Sequence, residues 1–163
     1  MLGGLRVRLV AYVAMAAILV GLNSRADDIP PEQAEAMIRE LLQSHIDANV
    51  PQPSDFDLFM KRDLRAYFSR PDSAVREVFY ELLRDGPTQT GIAFPKFYVW
   101  VRIEGVPPRQ GAARVAAIER QRFEVLQFVE KTQIAEDPAQ LRSIFPPDVA
   151  LAIEKRAQAR APK

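Results

Sequence analysis

The chain has 163 residues, 48% of them hydrophobic and 26% charged, which excludes a disordered or collagen-like polymer and gives one domain enough length for a core. It contains no cysteine, so disulfides, thiolate nucleophiles and cysteine metal sites are excluded together. A net charge of +1 excludes a strongly basic nucleic-acid binder on global charge.

Residues 1–26 have the three parts of a secretory leader. Arg6 and Arg8 form a positive start, Leu9–Leu22 is an uncharged apolar run, and Ser24-Arg25-Ala26 offers small residues before a cut at Asp27. The apolar run is shorter than the roughly 20 residues a spanning helix needs, so cleaved export is expected, with an uncleaved anchor as the alternative. Cleavage would remove Arg6, Arg8 and Arg25 and no acid. The 22 basic residues then fall to 19 against 21 acids, a net charge of −2. An exported domain without cysteine must be held by its core alone, which fits a periplasm better than a disulfide-dense extracellular setting. Residues 27–163 are read as one exported domain with a frayed basic tail from about residue 156.

Pro30-Pro31-Glu32 reads as a helix start, followed by Met37, Ile38, Leu41, Leu42 and Ile46 at helical spacing. Asn49–Pro53 ends that helix. Ser54 or Asp55 can cap a second one carrying Phe56, Phe59, Met60, Leu64, Tyr67 and Phe68. Asp72 or Ser73 can cap a third, with Val75, Val78, Phe79, Leu82 and Leu83 on its inner face and Asp85-Gly86-Pro87 as its stop. Thr88–Phe94 reads as a short edge strand.

The clearest strand is Lys96–Gly105. Phe97, Val99, Val101 and Ile103 alternate there with Tyr98, Trp100, Arg102 and Glu104. The runs ARVAAIE and FEVLQFVE can pair beside it. Two helices are expected afterwards, over Ala139–Ile144 and from Pro147 through Val149, Ala150, Ile153 and Ala157. The order predicts an α+β domain: three N-terminal helices, a three- to four-stranded antiparallel meander and two C-terminal helices.

Helices preceding a curved antiparallel sheet, here the helix around Asp63–Phe68 and the strands Phe97–Ile103, Ala113–Ile118 and Phe123–Val129, resemble the NTF2-like (cystatin-like) superfamily in element order. The resemblance covers roughly residues 30–135. The family's usual hairpin among the early helices is not placed, and the C-terminal helices look like an addition. Such domains include enzymes, pocket-bearing binding modules and secretion-apparatus subunits, so the resemblance implies a fold more than an activity.

Chemistry-bearing motifs are sparse. His45 is the only histidine, at the edge of an apolar helix face beside Asp47, which is no metal-ligand pattern. Asp55, Asp57 and Asp63 surround a helix start and read as capping and dipole compensation rather than a catalytic dyad. Lys61, Arg62, Arg65 and Arg70 interleave with those acids and read as a solvated face. Arg114, Arg120 and Arg122 form either a ridge for an acidic partner or a solvated sheet face. No catalytic residue, cofactor, metal or nucleic acid is expected.

Tyr98 and Trp100 carry the best functional hint. With Phe97, Val99, Val101 and Ile103 on the buried face, they point the other way, towards Ile118, Leu126 and Phe128. Either the C-terminal helices cover them as a second core, or the face is open to a partner. The expected function is an exported, periplasmic binding or assembly module that uses this face. Tyr98, Trp100, Arg102, Glu104, Arg114 and Phe128 are its contact residues, and an envelope protein or an apolar small molecule is its partner. One alternative is an NTF2-like pocket enzyme with Glu104 as general acid or base. The other is a membrane-anchored accessory subunit of an envelope complex, in which residues 9–22 remain uncleaved.

Overall fold

The computed structural model describes residues 29–69 and 74–159. The predicted leader, the cap at Asp72 or Ser73 and the last residues of the basic tail lie outside them. The chain divides into two compact units, Met1–Leu41 and Leu42–Lys163, and the sheet and both hydrophobic clusters belong to the second.

Helix α1 spans Pro31–Asn49, with proline at its start and Glu32 in its first turn, where acids complement the helix dipole. Its apolar stripe was expected to face inward. Instead Met37, Ile38 and Leu41 are 42, 56 and 68% exposed, and only Leu42 and Ile46 further along are half-buried. Helix α2 spans Pro53–Phe68 and does pack, burying Met60, Leu64 and Phe68, which four-residue spacing places on one face.

The third predicted helix is a strand. β1 (Ala74–Leu82) pairs antiparallel with β2 (Lys96–Val106), followed by β3 (Arg109–Ile118) and β4 (Arg122–Glu130), in spatial order β1-β2-β3-β4. The α+β class stands, with two N-terminal helices rather than three and a four-stranded antiparallel sheet. The expected edge strand at Thr88–Phe94 reduces to one bridge, Thr88 to Lys96. After β4 come α3 (Lys131–Glu136), which was not anticipated, then α4 (Pro138–Ile144) and α5 (Pro147–Gln158). Their starts follow local chemistry. Gln133 reaches back to the Glu130 N–H at 2.9 Å, Asp137 accepts from the Gln140 N–H, and Pro138 and Pro147 open α4 and α5.

β2 and β3 are buried on both faces over most of their length. On the first face, Phe97, Val99, Val101 and Ile103 join Ala113, Val115, Ala117 and Phe123 against Met60, Leu64 and Phe68 of α2. Phe56 meets Phe97 and Phe123 edge to face, each at 5.0 Å. On the second face, Tyr98, Trp100, Ala112 and Val129 pack with Ile134, Leu141, Phe145, Val149, Ala150 and Ile153 from α3–α5.

Both outer strands carry a β-bulge. Arg76 is the extra residue in β1 and Leu126 the extra residue in β4, since the register skips each of them. The Arg65 guanidinium donates to the Arg76 carbonyl at 3.0 Å, engaging one edge acceptor.

The β3–β4 turn places Glu119 (φ 52) and Arg120 (φ 58) in the left-handed region, which costs a residue with a side chain about 1 kcal/mol or more. Asn49 holds this turn. Its side-chain oxygen accepts from the Glu119 N–H at 3.1 Å, its carbonyl accepts from the Arg120 N–H at 2.8 Å, and its amide donates to the His45 carbonyl at 2.9 Å. Asn49 is buried, so Asn49→Ala should destabilise the fold by about 2 kcal/mol, leaving Glu119 N–H without its acceptor. Urea denaturation checks this, and an unchanged midpoint would show that the turn does not depend on the clamp.

Candidate functional site

The structure splits the six residues expected to form one contact surface. Tyr98 and Trp100 lie beneath the C-terminal helices, 4 and 3% exposed. Tyr98 meets Phe145 at 6.1 Å, and its hydroxyl shares a 2.9 Å hydrogen bond with Thr88 Oγ1. The Trp100 indole N–H is buried with no hydrogen-bond partner among the described residues. The cover is pinned at its rim by Glu81 with Arg156, and by Arg84 with Asp148 at 3.3 Å. Arg114, opposite Tyr98 in register, is half-buried and donates to the Ile144 carbonyl at 3.1 Å, so it braces α4.

Arg102 and Glu104 lie on the same face beyond the cover and are exposed. They face one another at 3.6 Å, and the Arg102 guanidinium sits 4.5 Å above the Phe79 ring. Glu104 is thus a solvated, paired carboxylate, whereas acid/base work of the kind first considered needs it enclosed among aromatics. Phe128 was expected beside Tyr98 and Trp100, and it lies on the opposite face. The Leu126 bulge moves it into the first core, edge to face with Phe68 at 4.8 Å and under Arg109 at 5.2 Å.

A second constellation lies where α2 crosses β1, around a groove of about 390 Å³ lined by Leu58, Lys61, Arg62, Arg65, Glu77 and Val78. Helical spacing brings Lys61 back to Asp57 at 2.9 Å. That bond holds the Asp57 carboxyl below its ordinary range, against the opposing effect of burial and with help from the Tyr80 hydroxyl. Burial first, and then the Asp57 charge, push the Tyr80 phenol up to about 12. It therefore remains a neutral donor at ordinary pH. Arg62 grips Asp63 with two nitrogens at 2.8 and 3.0 Å and donates to the Gln121 carbonyl at 2.7 Å, while Asp63 accepts from the Phe123 N–H at 2.6 Å. Sequence reasoning named the cations and acids of α2 but not their neighbours Glu77 and Tyr80. Both sit on the strand first read as a helix, so nothing placed that segment beside α2.

His45 stands 6.5 Å from Phe94 in a stacked arrangement, and no group of three potential metal ligands occurs among the described residues. Among those residues, no helix is long and apolar enough to cross a membrane. No known protein family, curated protein or solved structure matches the chain, so the NTF2-like resemblance rests on element order.

Proposed function

We propose that this protein is an exported, periplasmic binding or assembly module without catalytic activity, which docks an envelope partner through the apolar stripe of α1. The observation that carries this reading is the open face made by Met37, Ile38 and Leu41 on a well-formed amphipathic helix. Partly exposed as they are, those three residues supply about 1–2 kcal/mol each when a partner buries them, and their i, i+1, i+4 spacing suits a helix-in-groove contact. The sheet face that first suggested binding supports the reading less well, since Tyr98 and Trp100 are already covered. Export rests on the leader: a basic start, an apolar run and a small-residue cut site before Asp27.

The test is co-purification from periplasmic and membrane fractions with mass spectrometry, using a photo-crosslinker at Ile38. The expected result is a mature N-terminus at Asp27 and a crosslinked envelope protein that Leu41→Lys abolishes without shifting the melting temperature. Recovery of an uncleaved, membrane-embedded chain overturns the periplasmic reading. Undiminished capture by Leu41→Lys overturns the docking stripe.

A further inference from the structure

The groove between α2 and β1 has one feature that its salt bridges do not explain. Three cations line it, and two of them are matched: Lys61 by Asp57, and Arg62 by a two-nitrogen grip on Asp63. Arg65 is different. Its hydrogen-bond partner among the described residues is the Arg76 carbonyl at 3.0 Å, and it takes part in none of the ion pairs formed by the described residues. A backbone carbonyl fixes the position of a guanidinium without neutralising it, and most of its five N–H donors stay available. This is a preset fork for a carboxylate.

The rest of the lining narrows the ligand. Glu77 lines the groove from β1 only at its edge, since it lies opposite Glu104 in register and so shares the sheet face away from α2. Val78 gives an apolar floor, and Leu58 gives an apolar rim that is 65% exposed. One negative group and one apolar side chain held close together describe the last residue of a peptide. The volume suits a few residues of chain.

We propose that this groove captures the free carboxyl terminus of a peptide ending in an apolar residue. Arg65 takes the carboxylate, and Leu58 and Val78 cover the side chain. The inference is independent of the α1 docking stripe, since the two surfaces use different residues and different partners.

The probe is a short acetylated peptide ending in leucine, in free-acid and C-terminal amide forms, titrated by heteronuclear NMR into the protein as isolated from cells. The free acid should shift the Leu58 and Val78 amides and bind at least about tenfold more tightly than the amide, equivalent to about 1.4 kcal/mol. Arg65→Gln should erase that preference while the melting temperature holds, and Arg65→Lys should restore part of it. Equal binding of acid and amide, a preference that survives Arg65→Gln, or no shift at millimolar peptide each overturns the proposal.

Discussion

Replacing Trp100 with alanine should lower the unfolding free energy by about 3–5 kcal/mol, read as a lower urea midpoint by far-UV circular dichroism. The side chain is 3% exposed in the cluster with Leu141, Phe145, Val149 and Ile153, and small Ala112 beside it leaves room for the indole. Truncation removes the transfer free energy of a large ring and opens a cavity that the pinned C-terminal helices cannot easily fill. Glu104→Ala supplies the contrast. The residue is on the same strand and the same face, but it is exposed, and its replacement should stay within about 0.5 kcal/mol. A loss below about 1 kcal/mol for Trp100→Ala would show that α3–α5 do not pack on this face.

The other large effect is expected at Gly111, for the opposite reason. A Cβ built there would lie 2.1 Å from the Val129 carbonyl oxygen, 2.9 Å from the Glu130 Cα and 2.9 Å from the tip of the Phe128 ring. Two of those three contacts are backbone atoms in the neighbouring strand. No rotamer change relieves them, so Gly111→Ala must push β3 and β4 apart where Gly111 pairs with Glu130. The expected cost is about 3 kcal/mol, at the upper end for overpacking. Hydrogen exchange should show lost protection at the Phe128–Glu130 amides before the rest of the sheet. Unchanged stability with intact protection there would mean that the strands accommodate the methyl group.

How much of this was legible in the sequence depended on whether a strand kept its period. β2 did, and its alternation gave both faces correctly, including the pairing of Tyr98 and Trp100 on the side away from α2. β1 did not. With Arg76 inserted, Val75 and Val78 face the same core although they stand three positions apart, which is helical spacing. Val75, Val78 and Phe79 therefore looked like one helix face, whereas Phe79 stands on the other side of the sheet under Arg102. The same device misplaced Phe128. Leu126 resets the phase, so Phe123, Val125 and Phe128 share a face that strict alternation denies them. A bulge has no composition of its own, and this is why both errors fell on outer strands. Helix α3, six residues long, was too short for any periodicity to declare it. The groove cations were visible on α2, but the β1 segment that completes the groove became their neighbour only once it was paired into the sheet.

The bulged edges carry a consequence for the molecule's behaviour at high concentration. A flat outer strand is a template on which further copies can continue the hydrogen-bond ladder, the first step towards fibrils. Here each ladder is broken out of phase by one residue, and Arg65 occupies the Arg76 carbonyl on one side. Charged Arg122 and Glu124 stand exposed on the other. The four strands thus present irregular, charged outer edges. Growth by strand addition is disfavoured at both ends.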